Sequence, residues 1–232
     1  MADRCLLYYI TDRSQFPGDD RARRGALLAK IGEAARAGVD YIQLRERDLS
    51  TRDLETLARD ALTVVRNSAP LRMKTENRKP GTEPGTRLLI NSRTDVALAA
   101  AAAGVHLRAG DLTPNEVRRV LEISTHCSLP GDQFLIAASC HSNEDVQRAD
   151  SEGADFAVFA PVFGKSSSPG TQPTGLAALH DACRAKIPLF ALGGVTIENA
   201  ASCLNAGAAG IAGIRLFQEN KIEEVVRALR AL

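Results

Sequence analysis

Four short runs carry most of the residues able to do chemistry. They are Gln43-Leu44-Arg45-Glu46-Arg47, Asn91-Ser92-Arg93, His106-Leu107-Arg108-Ala109-Gly110-Asp111 and Ser139-Cys140-His141-Ser142. A fifth, Gly164-Lys165-Ser166-Ser167-Ser168-Pro169-Gly170, sets a lysine among hydroxyls and glycines. Two glycine turns complete the set: Gly193-Gly194 ahead of Thr196 and Asn199, and Gly213-Ile214-Arg215. Basic side chains beside hydroxyls bind oxyanions through charge-assisted hydrogen bonds. Bare backbone, where a strand stops and a capped helix begins, leaves amides free for an anion such as phosphate. The combination suits a phosphorylated substrate carrying more than one phosphate. Taken alone, Gly193-Gly194 reads first as a tight strand-to-helix turn using glycine for its φ freedom, since a lone pair of glycines is a weak signal.

Each polar run follows a short apolar one. The strand candidates are LLYYI from Leu6, VDYIQLR from Val39, RLLIN from Arg87, GVHL from Gly104, FLIAAS from Phe134, DFAVFA from Asp155, PLFAL from Pro188 and AGIAGI from Ala209. Between them lie segments with apolar residues at helical spacing, such as RGALLAKIGEAARAG from Arg24 and TRDLETLARDALTVVRN from Thr51, and KIEEVVRALRAL closes the chain. Gly38, Gly153 and Gly207 each stop a helix just before a small or acidic residue and a buried strand. Strict βα alternation leaves a closed barrel or a doubly wound sheet. The dinucleotide glycine fingerprint is missing after the first strand, in YYITDRSQFPGDD. The expected fold is therefore a single (β/α)8 barrel spanning residues 1–232, with the active site at the C-terminal strand ends. Residues 68–86, rich in Pro, Gly, Lys and Glu, read as a mobile surface loop within it.

Composition narrows the function. Of 232 residues, 44% are apolar and 25% charged, the balance of a soluble globular domain. A net charge of +1 gives no electrostatic case for nucleic acid or an anionic membrane. The five cysteines are scattered without a CxxC pair, which suits a reduced, cytoplasmic compartment. The apolar run near the N-terminus is too short for a signal peptide, and no segment approaches a bilayer span.

The segments YIQLRER, LLINSRTDVALAAAAAGVHL, SCHSNEDVQRADSEGADFAVFAPVF and PLFALGGVTIENAASCLNAGAAGIAGI resemble, in order and spacing, the thiamine phosphate synthase family, including its thiazole tautomerase branch. The resemblance runs from about Tyr9 to Phe217. It implies a transferase that joins hydroxymethylpyrimidine pyrophosphate to hydroxyethylthiazole phosphate and releases pyrophosphate. Carried over residue by residue, Gln43, Arg45 and Asn91 match the pyrimidine pyrophosphate positions. Arg47 stands for a usual lysine, and Ser139 matches a pyrophosphate-side hydroxyl. Lys165 and Ser167 fall in the loop after the sixth strand, where Lys165 could substitute for the family's pyrophosphate lysine and the triple serine could be a lid or only a flexible loop. Gly193, Gly194, Ile214 and Arg215 match the thiazole phosphate site. Asp111 matches one of two Mg2+ carboxylates, so the resemblance implies Mg2+ as cofactor. The implied partners are phosphorylated small molecules, with a homodimer left open as the assembly.

The departures cluster on the pyrimidine and metal side. Ser92 replaces the second Mg2+ carboxylate, Ala109 a glutamine and Ser168 a lysine, while Arg215 replaces a small hydroxyl residue. A weakened metal site follows, since a hard cation loses an anionic ligand. The same losses suit a tautomerase, in which His141 would move a proton as acid and base. A non-catalytic barrel binding thiazole or thiamine phosphate is a third reading. Plainer roles stand beside these. His141 could orient the following helix, His106 could be a hydrogen-bonded barrel residue, and Cys140 a small buried filler. Arg45 and Arg47 could form an ion-pair ladder with Glu46. His126 and His180 read as surface residues.

Overall fold

All eight apolar runs become strands of one closed parallel barrel, ordered β1 to β8 with β8 returning to β1. The computed structural model describes residues 4–68, 85–123, 134–164 and 172–232. The strands are β1 (Leu6–Ile10), β2 (Tyr41–Leu44), β3 (Arg87–Asn91), β4 (Gly104–Leu107), β5 (Leu135–Cys140), β6 (Phe156–Phe159), β7 (Leu189–Ala191) and β8 (Gly210–Gly213). Around them lie α1 (Asp20–Ala37), α2 (Thr51–Ser68), α3 (Thr94–Ala99), α4 (Pro114–Ile123), α5 (Asn143–Ser151), α6 (Gly175–Ala182), α7 (Ile197–Asn205), the short α8 (Arg215–Gln218) and α9 (Ile222–Arg230). Among the described residues no helix is long and apolar enough to cross a membrane. Nearly all of the expected loop, residues 69–84, lies outside the described residues.

Alternation along the strands builds two cores. Leu7 and Tyr9 of β1 pack outward into the shell between sheet and helices. Tyr8 and Ile10 point inward with Leu89, Ala137, Phe156, Val158, Phe190 and Ala212. Tyr8, Tyr41, Phe156 and Phe190 fill the barrel with ring contacts, Tyr41 to Phe156 at 4.9 Å and Phe156 to Phe190 at 5.1 Å. The barrel is thus plugged below its mouth. One inward step above this layer come Gln43, Asn91, His106 and Ser139, because period two carries Tyr41 to Gln43, Leu89 to Asn91 and Ala137 to Ser139.

The closed end is held by acids just before two strands. Asp40 accepts from the Leu7 amide at 2.8 Å and meets Arg4 and Arg230 at 2.7 Å each. Asp155 accepts from the Ile136 amide at 2.6 Å and meets Arg118 at 2.7 Å. Gly38, Gly153 and Gly207 have φ of +85°, +81° and +104°, as helix-stopping residues should. Helix α1 begins at Asp20 rather than at Arg24, because the Asp19 carboxylate caps it by accepting from the Ala22 amide.

Candidate active site

Strands β2, β3 and β4 deliver one continuous hydrogen-bond chain to the mouth. Arg108 Nε donates to Ser92 Oγ at 2.7 Å, and Asn91 Nδ2 donates to the same oxygen at 3.0 Å. With its amide nitrogen committed, Asn91 offers Oδ1, which accepts from Gln43 Nε2 at 2.8 Å. The chain orients Gln43 completely. Its Oε1 is buried and has no partner among the described residues. A buried carbonyl left so is an acceptor awaiting an N–H, at a cost of about 1–3 kcal/mol until one arrives. Ser92 sits at φ +61°, an unusual left-handed backbone for a residue with a side chain, which sets its oxygen between Asn91 and Arg108.

A second chain rises through the barrel. Tyr8 Oη is 3.0 Å from His106 Nδ1, and His106 Nε2 is 2.8 Å from Ser139 Oγ. Burial holds the Tyr8 phenol well above its ordinary range, so it stays protonated and donates. Burial, then the Arg45 charge, pull His106 down to about 3, so the imidazole is neutral. Nδ1 then accepts, Nε2–H donates to Ser139, and the Ser139 hydroxyl proton is left for the mouth. His106 is therefore the hydrogen-bonded barrel residue of the plainer reading, with Ser139 as its outlet.

Arg45 and Arg47 do not form a ladder with Glu46. Glu46 points outward, accepts from Thr11 Oγ1 at 2.6 Å and the Arg13 amide at 3.0 Å, and lies 3.6 Å from the Arg13 guanidinium. Burial pushes its carboxyl up. Among the described residues, Arg45 and Arg47 have no ion-pair partner. Burial, then the Arg47 charge and others, lower Arg45 below its usual range. A cleft of 150 Å³ opens here, lined by Arg47, Asn91, Ser92, Arg93 and Arg108 among others. Arg93 is neutralised by Asp95, at 2.5 Å. The net field is that of an anion site.

The loops after β6, β7 and β8 are built differently. Gly194 has φ +66°, and a Cβ there would lie 2.6 Å from the Gly164 carbonyl oxygen and 2.8 Å from Phe163 Cβ. Its lack of a side chain is thus demanded by the neighbouring backbone as well as by its own conformation. Asn199 locks the turn, donating to the Gly194 carbonyl at 3.0 Å and accepting from the Thr196 amide at 2.8 Å. The amides of Gly194, Val195 and Ile214 find no acceptor among the described residues. Arg215 is exposed just beyond. Gln218 anchors its short helix, accepting from Tyr9 Oη at 3.0 Å and donating to the Asp12 carbonyl at 2.7 Å.

His141 donates from Nδ1 to the Ala160 carbonyl at 2.7 Å, leaving Nε2 as its other ring nitrogen. Cys140 is buried, and burial pushes its thiol up to about 12, which makes it filler rather than nucleophile. His180 is exposed. Lys165, Ser167, Ser168 and His126 lie outside the described residues.

The Mg2+ implied by Asp111 meets a donor set that does not fit it. Asp111 Oδ2 already accepts from the Arg108 amide at 2.7 Å, and Oδ1 lies 3.5 Å from the Arg108 guanidinium. Ser92 Oγ accepts two hydrogen bonds, which fills both its lone pairs. Among the described residues no group of three His, Cys, Asp or Glu side chains could hold a metal. Sequence reading gave no role to Arg108, Tyr8 or Gln218. Arg108 at least stood in a polar run, but its partner Ser92 lies just past the end of another strand.

The family model for thiamine monophosphate synthase matches residues 7–217. The chain belongs to that family. It is 37% identical over 227 residues to the thiamine-phosphate synthase of Methanoculleus marisnigri, covering 97% of this chain and 93% of that one. The corresponding Syntrophomonas wolfei protein is 34% identical over 229 residues, covering 97% and 95%. Among solved structures, the thiamine phosphate pyrophosphorylase of Pyrococcus furiosus superposes with a TM-score of 0.73 at 26% identity, over 99% of this chain and 95% of that one. Membership of the thiamine monophosphate synthase family makes the chain an enzyme of the transferase class, acting on phosphorylated small molecules.

Proposed function

We propose that this chain couples hydroxymethylpyrimidine pyrophosphate to hydroxyethylthiazole phosphate, giving thiamine phosphate and pyrophosphate. One observation carries the reading: the orphaned, buried Gln43 Oε1, oriented by Asn91 beneath a mouth of arginines. An aminopyrimidine supplies the missing N–H, and its pyrophosphate then meets the cations. Arg45, Arg47 and the Ser139 hydroxyl receive the pyrophosphate, and the family resemblance adds Lys165 and Ser167 to its ligands. The amides of Gly194 and Ile214, with Arg215, hold the thiazole phosphate. In the reaction the methylene C–O bond breaks, and its electron pair leaves on the pyrophosphate oxygen. The thiazole nitrogen lone pair then forms the C–N bond. No proton leaves the reacting atoms, so charge stabilisation at the leaving group matters more than a general base.

The test is to supply purified protein with both substrates and quantify thiamine phosphate and pyrophosphate. We expect equal amounts of each. Gln43→Leu should lower kcat/KM on the order of 10- to 100-fold, the scale of a lost buried hydrogen bond. His141-dependent isomerisation of the thiazole without coupling would establish the tautomerase instead. Phosphate binding with neither reaction would leave a non-catalytic barrel.

A further inference from the structure

Between the ends of β3 and β4 the positive charge belongs to a side chain. Arg108 reaches Ser92 Oγ through Nε at 2.7 Å and lies 3.5 Å from Asp111 Oδ1. Its own amide fixes the Asp111 carboxylate at 2.7 Å, so backbone and guanidinium hold the same acid from two sides. The side chain keeps 46% of its surface exposed, and it lines the cleft with Arg47 and Asn91. Any divalent ion placed against Asp111 would meet this fixed charge at a few ångströms, where like charges repel strongly even with partial screening.

We infer that Arg108 is the resident cation of this site: held by Ser92 and Asp111, its guanidinium binds the diphosphate group directly, without a metal ion held by the protein. A planar fork with several N–H donors matches two diphosphate oxygens at once, which a hydrated ammonium does less well. One serine in place of an acid then makes sense. A carboxylate at Ser92 would add a second negative charge beside Arg108 and make the cluster net negative, whereas the neutral hydroxyl aims the guanidinium without adding charge. The inference rests on the transferase reading for the identity of the ligand, but its test does not need turnover.

The probe is inorganic pyrophosphate, titrated calorimetrically into the full chain in a chelator and again in excess Mg2+. We expect the unaltered protein to bind in the chelator. Arg108→Ala should weaken that metal-free binding about 10- to 100-fold, the scale of a lost charge-assisted hydrogen bond, with Arg108→Lys recovering part of it. Ser92→Asp should also weaken it, and should make binding depend on Mg2+. Unchanged metal-free affinity in Arg108→Ala would overturn the inference. So would an unaltered protein that binds pyrophosphate only with Mg2+. Metal-free binding that depends on Arg108, in a protein that makes no thiamine phosphate, would sustain the inference and remove the coupling reaction.

Discussion

Burial makes His106 a stability sensor as well as a relay between Tyr8 and Ser139. Its folded value is about 3, below the roughly 6.5 of an unfolded histidine. Between those values the unfolded chain binds the extra proton, so stability is full above about pH 6.5 and falls as pH drops. The slope from this group alone is about 1.4 kcal/mol per pH unit. His106→Gln can keep partners at Tyr8 and Ser139 without titrating. Urea midpoints measured at about pH 6.5 and pH 5 should therefore converge in the variant and separate in the parent. Equal pH slopes in both proteins would show that His106 is not held neutral. The sequence made His106 legible as a barrel residue, because it alternates with apolar neighbours. Its link to Ser139 was not legible, since it crosses from β4 to β5 and depends on the register that sets His106 opposite Ala137.

Two glycines separate local from long-range demands on an element. Gly38 ends α1 at φ +85°, and a Cβ there would meet nothing within 4 Å. Gly194 ends the turn after β7 at φ +66°, and a Cβ there would collide with the backbone after β6. Alanine at Gly38 carries only the left-handed penalty, about 1–2 kcal/mol. Alanine at Gly194 adds displacement of the Phe163-Gly164 backbone, and should exceed the first loss by on the order of 1–3 kcal/mol, the usual cost of overpacking. Thermal or urea unfolding of both variants decides this, and equal losses would mean the β6 loop gives way freely. Helix stops of the Gly38 kind are legible in sequence because glycine, acid and strand are adjacent. The reason for Gly194 is not, because the atoms it must clear lie some thirty residues earlier in the chain.

Across the whole molecule, a net charge of +1 conceals a sharp division of the mouth. Gln43, Asn91, Arg108 and Ser139 occupy the β2–β5 arc, and the glycine turns with Arg215 occupy the β7–β8 arc. Alternating elements sufficed to read the barrel and to collect these residues at one end, because a parallel barrel sends every strand's C-terminus the same way. They did not reveal that Ser92 and Asp111 share a guanidinium, a fact of side-chain reach rather than of order. If the arcs bind separate substrates, their losses should be separable. Asn91→Ala releases Gln43 and should raise KM for the pyrimidine pyrophosphate, leaving KM for the thiazole phosphate near its parent value. Arg215→Ala should do the reverse, by about 10- to 100-fold if its hydrogen bond is charge-assisted. β3 and β8 are not neighbours in the ring, since β2 and β1 stand between them on the shorter side. The double variant should therefore lose the sum of the two free energies to within about 0.5 kcal/mol, as independent sites do. Strong coupling between the two losses, or a shift of both KM values in either single variant, would place both anions in one arc and dissolve the division.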